Sequence, residues 1–170
     1  MDSISMERRN ELIDAAVRVL KLELRDDYGV DQALLAAWRG SGSAAVASFI
    51  DQWADDVRVD FARGQRTRRI RVVSEPLSEY QRFIFDIQDA AVDAGEDIRW
   101  LPRRFASTLL LPGNDMFVLD EATLMFNVLD GANQCAEIQF ADDPGQVKSC
   151  LGAFEAAWAR AIPHQDYRPV

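Results

Sequence analysis

A chain of 170 residues, 48% hydrophobic and 28% charged, is long and apolar enough to bury a sizeable core, and is sized for one domain or a core with a helical extension. Its formal net charge of −9 argues against general affinity for nucleic acid or an anionic membrane and fits a cytoplasmic protein. Only Lys21 and Lys148 are lysines, His164 is the single histidine, and Cys135 and Cys150 lie outside any Cys-x-x-Cys or Cys/His cluster, so the spacing points to no metal and no cofactor.

In chain order, residues 1–62 read as a helical N-terminal segment. Leu12, Ile13, Ala16, Val17, Leu20 and Leu24 recur at helical spacing, predicting one helix that breaks at Asp26, Asp27 and Gly29. A short helix follows from Ala33 to Trp38, then a turn from Arg39 to Ser43. A third helix carries Val46, Phe49, Ile50, Trp53, Val57 and Phe61 on one face.

Residues 63–170 read as an α/β core. The stretch from Arg68 to Arg104 has the form strand, helix, strand, the pattern of a βαβ unit with parallel strands. In the first strand Ile70 and Val72 point to one side, Arg71 and Val73 to the other. Pro76 is expected to open the helix, Leu77, Tyr80, Phe83, Ile84, Ile87, Ala91 and Ala94 to form its buried stripe, and Gly95 to end it. Asp115 to Asp120, Thr123 to Leu129 and Cys135 to Phe140 follow as antiparallel strands. Asp130-Gly131 marks a hairpin turn, and the third run alternates like a sheet-edge strand with one wet face. Ser107 to Leu111 is a candidate for one strand more. A closing helix spans about Gly145 to Ile162, and the whole is a mixed sheet with helices packed on it. The two cysteines read as small buried hydrophobes in a reducing compartment, and no apolar run reaches the roughly 18 residues of a membrane span.

Ligands in βαβ units gather where the strands end. Here that region holds Ser74, Glu75, Trp100 and Arg103, beside Arg104, and Arg99 lies on the second strand. The run Arg63, Arg66, Arg68, Arg69, Arg71 has two readings. Arg66, Arg68 and Arg69 could contact phosphate, or the run is a solvated face paired with Asp55, Asp56 and Asp60, which the overall acidity favours. Parallel strands in register would project Arg71 and Arg99 from one sheet face, with Glu75, Glu96 and Asp120 as carboxylate partners. His164 reads as a tail residue. A Ser/His/Asp constellation would need Ser74 or Ser78 brought to it, and neither serine stands in a nucleophile-elbow sequence. No catalytic residue and no metal ligand is assigned.

The segments Val72-Val73-Ser74-Glu75-Pro76-Leu77-Ser78-Glu79-Tyr80 and Gly95-Glu96-Asp97-Ile98-Arg99-Trp100-Leu101-Pro102-Arg103 resemble an actinobacterial family, domain-of-unknown-function family 6879. The likeness extends to Asp115-Met116-Phe117-Val118-Leu119-Asp120, to Trp158, Pro163, His164 and Tyr167, and more loosely to Leu22-Glu23 and Tyr28. Members of that family resemble companions of helix-turn-helix regulators, which implies a regulatory role by association. The strand order also resembles half of a phospholipase D-like domain. Catalysis there depends on an H-x-K-x4-D motif, and the corresponding region, Leu111 to Leu124, has neither His nor Lys.

The resemblance therefore implies a non-catalytic module with a phospholipase D-like core. It would bind a transcription-regulator partner or a small anionic ligand through Ser74, Glu75, Arg99, Trp100 and Arg103. Half-domains of that type often pair, which admits a homodimer. The alternative is a hydrolase acting on a phosphate ester or amide, with Glu75 as base and Arg103 steadying charge. Direct DNA contact through Arg63 to Arg71 is the third reading.

Overall fold

Residues 18–23 decide the architecture. Expected as the continuation of the first helix, they form a strand at the centre of the sheet. In the computed structural model, which describes Met1–Val170, α1 (Met6–Ala15) is capped by Ser5, whose hydroxyl accepts from the Arg8 N–H, and ends at Ala16. The chain then enters β2 (Arg18–Glu23), following the short β1 (Asp2–Ser3). Leu20 and Leu22 lie on one face of β2, Val19, Lys21 and Glu23 on the other, the period of two that a strand requires. The carboxylate of Asp120 accepts from the Val17 and Arg18 N–H groups at 3.0 and 2.7 Å, fixing the point where helix gives way to strand. Asp120 therefore serves backbone donors and not an arginine.

The remaining elements are α2 (Gln32–Ser41), α3 (Ala47–Ala62), β3 (Arg66–Val73), α4 (Glu79–Ile87), α5 (Asp89–Ala94), β4 (Asp97–Pro102), β5 (Asp115–Leu119), β6 (Thr123–Leu129), β7 (Cys135–Ala141), α6 (Pro144–Trp158) and β8 (Ile162–Pro163). They assemble an eight-stranded mixed sheet in the order β1-β7-β6-β5-β2-β3-β4-β8. Strands β2, β3 and β4 are parallel; the other pairings are antiparallel. Residues 1–62, expected to be helical throughout, also supply β1 and β2 to the same sheet as the later strands. The expected edge strand, β7, is covered by β1, and Ser107 to Leu111 adds no strand.

Three further expectations change. The single helix expected after Pro76 is two, separated at Gln88, whose buried side chain accepts from Arg71 Nε at 3.0 Å. Pro76 follows a cis peptide bond and lies outside the helix; α4 is capped instead by Ser78, which accepts from the Gln81 N–H. Cys135 is exposed and Cys150 half-buried, both as free thiols. Gly95 does end α5, at φ +121°, and a Cβ there would come within 2.5 Å of the Phe61 ring.

The two sheet faces are filled differently. Under α6, Leu20, Leu22, Ile70, Val72, Met116 and Val118 join Phe154 and Trp158 in one cluster of 16 buried residues. On the opposite face two smaller clusters of 10 and 5 buried residues sit apart, one built on Val73 and Trp100, the other on Val19, Phe117 and Met125. No helix is long and apolar enough to cross a membrane.

Candidate functional site

Between those two smaller clusters the sheet face is charged. Register places Lys21 opposite Arg69 and Glu23 opposite Arg71 on the β2–β3 pair, and Lys21 opposite Phe117 on β5. Like charges directly opposite one another repel, and Glu23 is the compensation. Its carboxylate meets Lys21 Nζ at 2.7 Å and Arg69 Nη1 at 2.8 Å, and also Arg71. Glu96, at the entry to β4, takes Arg69 Nε at 2.6 Å.

This stripe floors a two-lobed cleft roofed by α3 and flanked by α1 and α4. The lobes measure about 390 and 210 Å³ and meet at Arg9, Lys21, Trp53, Asp56 and Arg69, which line both. The larger lobe has aromatic walls from Tyr28, Phe49, Tyr80 and Phe83. Arg9 reaches in from α1, its guanidinium 4.8 Å from the centroid of the Phe117 ring, and Lys21 Nζ lies 5.3 Å from the same ring.

Burial alone would raise the Glu23 carboxyl, but Arg71, Lys21 and Arg69 around it hold it well below the usual carboxylate range. Burial pushes the Lys21 ammonium down and Arg69 adds to that, with Glu23 pulling the other way. Burial lowers Arg9 as well. At the far end burial raises Asp115, which accepts from the Tyr28 hydroxyl at 2.6 Å and the Leu24 N–H at 2.8 Å. Three buried polar atoms at the cleft make no hydrogen bond: Glu23 Oε2, which is in ion-pair contact with Arg71, and Arg9 Nε and Asn127 Oδ1, which have no partner. No serine, cysteine or histidine lines either lobe, and no group of three or more His, Cys, Asp or Glu side chains is placed to hold a metal ion.

The residues expected at the strand ends divide into braces and core. Ser74 and Arg103 meet with Asp26, which sequence reasoning passed over. Asp26 accepts from the Ser74 N–H at 2.7 Å and from its hydroxyl at 2.6 Å. Arg103 donates to the Leu24 and Val72 carbonyls and to Ser74 Oγ. Glu75 accepts from the Tyr167 hydroxyl at 2.9 Å and pairs with Arg104. Trp100 is fully buried and stacked on Tyr167, so it lines no pocket. Its indole N–H donates to His164 Nδ1 at 2.8 Å, and His164 Nε2 meets Asp89. His164 is thus a buried anchor of the tail.

Arg99 does not share a face with Arg71, because its register partner is Ile70; it lies under α6, against Trp158. Of the three arginines with a phosphate reading, only Arg69 reaches the cleft. Arg68 makes a two-pronged pair with Glu155 on the opposite face, and Arg66 packs on Phe61. The missed residues are Arg9, Lys21, Glu23, Tyr28, Asp115 and Asn127. The signal for the central two was present: Lys21 and Glu23 alternate with Leu20, Leu22 and Leu24.

The family model for a domain of unknown function (DUF6879) matches residues 7–169, and the chain belongs to that family. No curated protein matches it. Among solved structures it is similar to the crystal structure of a phospholipase D family member, Nuc from Salmonella typhimurium. The identity is 13% and the TM-score 0.54, over 95% of this chain and 90% of that one. A likeness at that identity is one of fold.

Proposed function

We propose that this family member is a non-catalytic regulatory binding protein whose cleft takes a small anionic ligand. In this reading the occupied state is presented to a protein partner, a helix-turn-helix regulator. The observation that carries the ligand part is the gathering of Lys21, Arg69 and Arg71 on one sheet face around the shared Glu23 carboxylate, with Arg9 reaching in from α1 and aromatic walls beside them. Buried charges are costly to keep and cluster at functional sites. This reading sets the binding site in the cleft and not at the strand-end turn.

Hydrolysis through Glu75 and Arg103 has less support. Both Glu75 oxygens already accept, from Tyr167 and from Arg104, and Arg103 is occupied with backbone carbonyls. Direct DNA contact is weakened in the same way, since Arg63, Arg68, Arg69 and Arg71 each pair with a carboxylate. A thermal-shift panel of small carboxylates, phosphates and sulfonates tests the ligand part. At least one anion is expected to raise Tm in the full chain, and to raise it less in Lys21→Met. A panel with no shift overturns the ligand reading. Recovery of a DNA-binding protein with the tagged chain, changed by the stabilising anion, tests the partner.

A further inference from the structure

The composition of the cleft narrows the ligand further, on the premise that the cleft is the binding site. Its floor and its α1 flank present four cations, Arg9, Lys21, Arg69 and Arg71, against three carboxylates, Glu23, Glu96 and Asp115, while the walls add Asp31, Asp56 and Asp60, so the positive surplus of one is confined to the floor. Of the wall acids only Asp60 pairs with a cation, Arg63 at 3.1 Å; Asp31 accepts from the Tyr80 hydroxyl at 2.6 Å and Asp56 from Gln52 at 2.8 Å, neutral donors that do not offset a carboxylate's charge. A dianion would exceed the floor's surplus and be repelled by the wall acids as well. A monoanion balances the floor.

The position of the anion follows from which cations have capacity left. Arg71 is committed to Glu23 and Gln88, and Arg69 to Glu23 and Glu96. Arg9 has no carboxylate in contact; its Nη1 donates only to Asn10 and the Met6 sulfur, and its Nε is buried without a partner. A buried guanidinium N–H left unpaired is costly, and an incoming carboxylate would satisfy it with a charge-assisted bond. Lys21, over the same Phe117 ring, meets only Glu23 and retains donor capacity. The other orphan is an acceptor, Asn127 Oδ1, in the larger lobe. It calls for a hydroxyl or amine on the ligand. In the same lobe, Phe49 and Trp53 offer paired rings 6.1 Å apart, suited to an apolar or aromatic body.

We propose that the cleft takes a small monocarboxylic acid with an apolar or aromatic body and one hydrogen-bond donor. Its carboxylate is set against Arg9 and Lys21 above Phe117, and its donor is directed to Asn127.

The test compares three probes of matched body by calorimetric titration of the full chain at pH 8: 3-phenyllactate, phenyl phosphate and 3-phenyl-1-propanol. Phenyllactate is expected to bind, the alcohol to bind at least about tenfold more weakly, and Arg9→Met to lose about tenfold in phenyllactate affinity. Asn127→Leu tests the donor contact through phenyllactate against 3-phenylpropionate, which lacks the hydroxyl; the preference for phenyllactate is expected to disappear. Tighter binding of phenyl phosphate than of phenyllactate overturns the monocarboxylate while leaving an anion-binding cleft in place. Equal binding of the alcohol overturns the role of charge, and no binding by any probe, together with a silent anion panel, overturns both readings. If Arg9→Met fails to fold, the selectivity of the unaltered protein among the probes still decides.

Discussion

The two faces of this sheet solve the same burial problem in different ways. Under α6 the strands present Leu20, Leu22, Ile70, Val72, Met116 and Val118, and the core is continuous. On the other face the same three strands present Lys21, Glu23, Arg69, Arg71 and Asp115 between two apolar clusters. Each apolar side chain buried under α6 is worth about 1.5–3 kcal/mol. The ionic stripe gives little net stability, because desolvating its charges offsets most of their attraction. A fold selected for stability alone would fill both faces like the first. The second face therefore marks where the molecule forgoes apolar burial, as the proposed binding role requires.

The comparison is broken most forcefully by one substitution on each face. Phe154→Ala, under α6, is expected to cost about 3–5 kcal/mol in urea unfolding, nearly independent of pH. Glu23→Ala is expected to cost a similar ~3–5 kcal/mol near neutrality, because three cations lose their shared carboxylate. The two losses should separate on acidification. The folded-state pKa of Glu23 is depressed, so its contribution is complete above the unfolded carboxyl value and is lost as pH falls toward the folded one. The deficit of Glu23→Ala against the parent should thus shrink below about pH 5, while that of Phe154→Ala persists. Parallel deficits down to pH 3 would mean that Glu23 is not the electrostatic centre of the face.

A second experiment makes the charged face resemble the other one. Replacing Lys21, Glu23 and Arg71 together with Met, Leu and Met removes the triad and leaves the Arg69–Glu96 pair intact. Stability is expected to hold or to rise by about 1–4 kcal/mol, as when buried ion pairs give way to apolar residues of similar volume. Response to any anion should vanish. A triple variant that unfolds would show instead that the stripe specifies the fold.

Most of the apolar framework was legible in sequence. The parallel β3–β4 pair, the stripe on α4 and the hairpin strands all follow from residues whose burial and period agree. The stretch 18–23 misled because Val17, Leu20 and Leu24 satisfy a helical period, while Lys21 and Glu23 look like solvated helix positions. Their charge hides a strand buried on both faces. The cleft was illegible for the same reason: its residues come from α1, β2, α3, β3, α4, β5 and β6, and only the folded sheet brings them together. Arg103, Ser74 and Glu75 were found at the strand ends, yet proximity alone could not tell a brace from a binding group. Asp26, the residue that makes them a brace, stands 48 positions before Ser74.

The smallest expected effect sharpens the comparison between turn and cleft. Arg103 ties the chain after β2 to the end of β3 through the Leu24 and Val72 carbonyls and Ser74. Its side chain is 45% exposed, so water can replace part of what it donates. Arg103→Ala should therefore cost only about 1 kcal/mol of stability. Affinity for a cleft anion should be unchanged, because Arg103 lines neither lobe. Calorimetric titration of Arg103→Ala and Arg9→Met with the same anion places the site. Loss in Arg9→Met alone assigns binding to the sheet face, whereas loss in Arg103→Ala alone returns it to the strand ends, where ligands of βαβ units ordinarily gather.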